Sequence, residues 1–264
     1  MPGSMVYRLP VADPGAANMV AFREAMKQAE DIPDKRGYNH IAGFHGAPGE
    51  YCWHHQVNPR TPVQARLFLP WHRAYLWWLE QSLQDLVDSV ALPYWDWTEV
   101  AQIPAAYDSA EIDGQPNPLV ASRMFVPTAH PPLDRLTTRA PGTTPGAALP
   151  TGPEIDDLLT NDTDWASFSD RLEDYHDNVH VWVGGDMQDI NTAAFDPIFF
   201  AHHTQIDRIW YLWQVKNGND NFPTELLDSP LTPFGKTPRD VLNVQALGYE
   251  YAASAAPVPL EGSS

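Results

Sequence analysis

His176-Asp-Asn-Val-His180 places two imidazoles four residues apart. Positions i and i+4 of a helix share one face, so both rings can close on a single ion. Further along, Asp196-Pro-Ile-Phe-Phe-Ala-His-His203 supplies a third imidazole from another helix, with Asp207 one turn later. Three neutral nitrogens suit copper, zinc or iron, and they leave an open position for a small reactant. The HxxxH pair alone would say little, because surface histidines reach that spacing by chance. Joined to the second segment it points to a metal site. A matching set lies upstream: His45 in Ile41-Ala-Gly-Phe-His-Gly46, His54 and His55 in Tyr51-Cys-Trp-His-His55, and His72 in Leu67-Phe-Leu-Pro-Trp-His-Arg73. Ten histidines gathered mostly in two groups suggest two metal sites built alike.

Such sites need rigid carriers. Asn18 to Glu30 reads as an amphipathic helix ended by Asp31-Ile-Pro33. From Arg66 to about Val90, Leu69, His72, Leu76, Leu79, Leu83, Leu86 and Val90 recur at helical spacing, which puts His72 on the core-facing side. Trp165 to Val183 reads as a helix with Ser167 or Ser169 near its start and Gly184-Gly185 at its end. Asp196-Pro197 opens another that runs to about Lys216. Residues 37–65 and 100–153 are rich in Gly and Pro, and no helical or strand period runs through the second stretch, so both are expected to be loop. The expected fold is mainly α. Four helices with inward histidines form a central bundle around the metal centre, with long loops and a few short peripheral strands. No linker divides the chain, so one domain with a core of about residues 5–252 is expected.

A formal charge of −18 argues against nucleic acid and anionic membranes as partners. No apolar run approaches the length of a membrane span. The N-terminus lacks a signal peptide, which leads to the expectation of a cytoplasmic protein, or one exported with a partner. The lone Cys52 excludes an internal disulfide. Ten Trp and 26 Pro suggest a rigid shell around an aromatic centre.

Phe68-Leu-Pro-Trp-His-Arg73, Tyr94-Trp-Asp-Trp97, His176-Asp-Asn-Val-His180 and Asp196-Pro-Ile-Phe-Phe-Ala-His-His203 with Asp207-Arg208 resemble the tyrosinase, catechol oxidase and haemocyanin group. The resemblance runs from about residue 5 to residue 252, with the motifs in the family's order. It implies two coupled copper ions, with dioxygen as co-substrate. For the first copper it implies His45, His54 and His72, leaving His40 as the rival of His45 and His55 as the rival of His54. For the second it implies His176, His180 and His203, with His202 facing away as a buried hydrogen-bonding neighbour. Asp207 is then expected to orient His203 or to pair with Arg208. By the same resemblance Cys52, in Cys52-Trp-His54, forms a thioether to the His54 ring. Glu173 holds a water near the second copper, and Phe199 lies beneath the substrate ring. Asp177 stands where efficient monophenol hydroxylases often carry asparagine. The tail through Tyr249-Glu-Tyr251 resembles a motif that packs on an N-terminal arginine, here Arg8.

The expected function is therefore oxidation of ortho-diphenols or ortho-aminophenols to quinones, with weak monophenol hydroxylation. The expected partners are a small phenolic or aminophenolic substrate and a copper-delivery protein; the oligomeric state is left open. The alternative is a haemocyanin-like dioxygen carrier. The chain ends soon after Tyr251, so no shielding domain is expected, which favours an oxidase active without proteolysis.

Overall fold

The structure, a computed structural model, describes residues 5–52 and 66–252. In chain order its elements are β1 (Val6–Arg8), α1 (Ala17–Glu30), α2 (Tyr38–Ala42), α3 (Phe68–Gln84) and α4 (Ala105–Asp108). Two small hairpins follow, β2 (Glu111–Ile112) with β3 (Gln115–Pro116), and β4 (Arg123–Val126) with β5 (Leu133–Leu136). Then come α5 (Gly152–Asn161), α6 (Trp165–Val183), α7 (Ile198–Asn217), α8 (Pro238–Val241) and β6 (Tyr249–Tyr251).

The four long helices α1, α3, α6 and α7 form the expected bundle. α3 packs on α1, α6 and α7, and α6 packs on α7. α3 buries Leu69, His72, Leu76, Leu79 and Leu83, which recur every three or four residues. Pro70 sits in its first turn, where a backbone N–H has no partner within the helix. α6 is capped by Asp164, whose carboxylate accepts from the N–H groups of Ala166 and Ser167. The serines expected near that start are not the cap: Ser169 is buried inside the helix. α6 stops at Gly184, which takes φ +66°. α7 is buried on nearly every side, because α3, α5 and α6 all lie against it.

Several segments depart from the sequence reading. α3 ends at Gln84 rather than near Val90. Glu80 accepts the N–H of Leu92, Gln84 donates to the carbonyl of Val90, and Ser89 takes φ +62°, so the chain folds back there. The stretch after residue 37 begins with the single helical turn α2. The 100–153 region contains both hairpins; Met124 and Val126 point inward between exposed Arg123 and Phe125, an alternation too short to stand out in the sequence. α5 was not anticipated, although Thr151-Gly-Pro-Glu154 forms a capping box at its start. Three helices, not four, carry inward histidines among the described residues: His72 on α3, His176 and His180 on α6, His203 on α7.

The chain's two ends meet at the bundle. β1 pairs in parallel with β6, setting Val6 opposite Tyr249 and Arg8 opposite Tyr251. Arg8 is fully buried; it bonds Glu80 through Nε and Nη2 at 3.0 and 3.2 Å and lies 3.5 Å from the centre of the Tyr249 ring. Asp207 sits at the middle of this cluster. It accepts from Arg73 Nε at 2.5 Å, Arg8 Nη1 at 3.1 Å, Tyr249 Oη at 2.7 Å and Tyr251 Oη at 2.5 Å. Neither expected role of Asp207 holds, since Arg208 pairs with Asp96 and the carboxylate is taken up by two arginines and two phenols. The arginine–tyrosine packing expected for Arg8 is present.

Candidate metal centre

α6 and α7 bring three nitrogens of the second group together. Nε2 of His203 lies 3.2 Å from Nε2 of His176 and 3.2 Å from Nε2 of His180. The rings of His176 and His180 are fixed from behind. His180 Nδ1 donates to the carbonyl of Met187 at 2.7 Å, and His176 Nδ1 to Asp177 Oδ1 at 3.0 Å. With the proton held on Nδ1, each Nε2 of a neutral ring turns its lone pair inward. Lone pairs facing one another at that distance repel unless a cation sits among them. Three nitrogens about 2.0 Å from one tetrahedral ion lie about 3.3 Å apart, close to the spacing found. The donor set therefore fits a metal ion.

His202 is the neighbour expected to be buried and hydrogen-bonded rather than a ligand. Trp97 Nε1–H donates to its Nδ1 at 3.3 Å, so its neutral ring carries the proton on Nε2, where no lone pair remains. Its ring stacks on His176 at 5.2 Å. Burial first, and then neighbouring imidazoles, hold both His202 and His203 well below the ordinary histidine pKa, which keeps these rings neutral.

The first group comprises His45, in the loop after α2, and His72 on α3, together with Cys52. His72 Nδ1 donates to the carbonyl of Phe68 at 2.9 Å, one turn back on the same helix. His45 Nδ1 donates to the carbonyl of Ile190 at 3.2 Å. Cys52 is buried, with Sγ 3.9 Å from His72 Nε2. His54 and His55 lie outside the described residues, and so does the expected thioether partner of Cys52. His40 packs edge-on against Phe44, and the group at this site contains His45 instead. The two groups touch: the His72 ring stacks on His203 at 4.4 Å.

A cavity of about 220 Å³ reaches this centre. Its walls are His45, His176 and His180, with apolar Val181 and Met187, and Asp177 stands at the rim with its side chain 63% exposed. That volume is below the ~300–1,000 Å³ of sites for drug-sized ligands and suits a single ring. Phe199 is fully buried, does not line the cavity, and stacks on His203 at 4.0 Å. Glu173, one turn before His176, is buried rather than on a solvated face, and it too does not line the cavity. The carbonyls of Phe68, Met187 and Ile190 went unnoticed in the sequence, because a backbone acceptor leaves no side-chain signal.

A helical bundle with two histidine groups in contact fits a protein that binds metal at paired sites. The model of the common central domain of tyrosinase matches residues 35–141 and 128–216. A tyrosinase of Streptomyces antibioticus is 33% identical over 205 residues, covering 69% of this chain and 71% of the relative. The G-type hemocyanin, units Oda to Odg, of Enteroctopus dofleini is 30% identical over 254 residues, covering 84% of this chain. That match takes up 8% of the hemocyanin, so the chain spans a small part of that relative. A functional unit of octopus hemocyanin superimposes with a TM-score of 0.75 at 25% identity, over 93% of this chain and 68% of the other. The chain belongs to the tyrosinase family, the group with a type 3 copper domain.

Proposed function

We propose that this chain oxidises ortho-diphenols, or ortho-aminophenols, to quinones with dioxygen. The observation that carries this reading is the convergence of three Nε2 atoms beside a ring-sized cavity that opens at the surface. A bound copper pair supplies two-electron exchange with dioxygen. His176, His180 and His203 hold one ion. His45 and His72, with His54, hold the other. The Nδ1–H bonds to Met187, Asp177, Ile190 and Phe68 keep the rings of His180, His176, His45 and His72 from turning, so binding costs little rearrangement. Val181 and Met187 give the substrate ring an apolar wall. Phe199 fixes His203 from beneath by stacking, and so acts on the substrate through that ring. Glu173 holds a water that takes the phenolic proton. Asp177 is bonded to His176 and carries negative charge at the rim, which disfavours an arriving phenolate and leaves monophenols as slow substrates.

The similarity to hemocyanins, as high as that to tyrosinases, favours a second reading, reversible dioxygen binding. Copper-loaded protein assayed against catechols, ortho-aminophenols and monophenols tests both. Rapid quinone formation with matching oxygen uptake is expected. Reversible oxygenation without catechol consumption would establish the carrier, and active protein with one copper, or mostly zinc, would overturn the copper-pair reading.

A further inference from the structure

His45 and His180 belong to different histidine groups, yet the same short stretch orients both. His180 Nδ1 donates to the carbonyl of Met187 and His45 Nδ1 to that of Ile190. The loop carrying His45 is tied to this stretch again, since Ala47 N–H donates to the carbonyl of Asn191. What holds the stretch is Asp186, which is 4% exposed. Its carboxylate accepts from Arg135 Nη1 and Nη2 at 2.7 and 2.6 Å, and from the N–H and hydroxyl of Thr138 at 2.7 and 3.1 Å. Its own N–H donates to the Thr138 carbonyl, and its carbonyl accepts from the Thr192 hydroxyl. Gly185, at φ +56°, lets the two segments approach this closely: a Cβ there would lie 2.2 Å from the Thr138 oxygen. Burial pushes the Asp186 carboxyl up, but Arg135 and Thr138 outweigh it and keep it below the usual range, so the clamp stays charged at neutral pH.

We propose that Asp186, clamped by Arg135, is a positioning residue for both metal sites: it fixes the stretch whose carbonyls orient His45 and His180. One carboxylate outside the cavity thereby sets the geometry of two ions together. The inference rests on the copper-pair reading above. A ring whose Nδ1 acceptor is displaced loses its fixed orientation, and outer partners of metal-bound histidines change affinity by about 10–100-fold.

The test measures the affinity of each Cu(I) ion by chelator competition, and the Nδ1–H resonances of His45 and His180 in zinc-loaded protein. Asp186→Ala is expected to weaken both ions about tenfold and to expose both Nδ1–H groups to rapid exchange. Asp186→Asn keeps an acceptor for Thr138 and should recover part of the loss. Arg135→Gln, at a side chain 46% exposed, gives the same signature more mildly and serves if the alanine variant does not fold. Asp134→Asn breaks the exposed Arg123–Asp134 pair on the same hairpin and should move neither readout. A lower melting temperature with both affinities and both Nδ1–H signals unchanged would overturn the proposal, as would loss confined to one ion. Wild-type protein that binds fewer than two ions would overturn the copper-pair reading and this inference with it.

Discussion

The two histidine groups are built on different kinds of backbone. The second draws all its converging nitrogens from two packed helices, where spacing brings the side chains to one place. The first takes one ring from a helix and one from a loop, and the expected third ligand falls between residues 53 and 65. Helical periodicity converts sequence distance into geometry; a loop does not. A loop ring must be oriented by something outside its own segment, and for His45 that is the carbonyl of Ile190.

The sharpest way to break this contrast is to remove one ring from each group. His203→Ala and His72→Ala should each abolish oxidation with the fold retained, and metal analysis should find one ion lost in each case. Loss of both ions from either variant would mean the groups do not bind independently. Next in size is Asp207, which joins Arg73, the neighbour of His72, to the helix of His203. Asp207→Ala leaves two buried arginines short of a counter-charge and should cost about 3–5 kcal/mol in denaturant unfolding. Burial raises its pKa, but Arg73 and Arg8, with the Tyr251 hydroxyl, lower it further, and the carboxyl ends below its usual 3.8. A carboxyl depressed by folding contributes stability in full above pH 3.8, lost as pH falls through its folded value. The wild-type advantage over the variant should therefore shrink below pH 4. An advantage that grew with acid would refute the sign.

His54→Ala against His55→Ala sharpens the weaker half of the comparison. The first should remove one ion and the second leave both, and the reverse order would move the ligand to His55. Copper-loaded protein with a Cys52–His54 bond should also weigh two hydrogens less than the unmodified chain. Smaller effects are expected at the rim: Asp177→Asn should raise the monophenol-to-diphenol ratio and Glu173→Gln lower it. Loss of monophenol turnover alone in the asparagine variant would make Asp177 the base itself. The smallest effect concerns α5, a helix that carries none of the ligands. Thr151→Ala removes the capping box of α5 and should cost about 1 kcal/mol with both ions still bound, as a thermal melt and metal analysis would show.

The bundle was legible because α6 and α7 carry uninterrupted patterns with clear marks at Gly184 and Pro197. α5 was missed because only Ile155 and Leu158 are buried, too few to show a period, although its capping box was there to be read. The partners of Asp207 were misjudged for another reason. Arg8 and Tyr251 are remote in sequence, and the nearer Arg208 was the natural guess, but it turns to Asp96. Sequence neighbours announce local pairs; a buried charge collects its partners through topology.

That collection constrains the order in which the protein can be made. Asp207 is satisfied only when Arg8 and Tyr251, which bond each other across 243 positions, have both arrived. A nascent chain that has passed α7 but lacks β6 holds a buried-site carboxylate and two arginines without their phenol partners. Contacts of such long range form late, after loop closure has been overcome. The bundle should thus lock only once residue 251 has cleared the ribosome, and firm seating of metal on His203 waits for β6 to pair with β1.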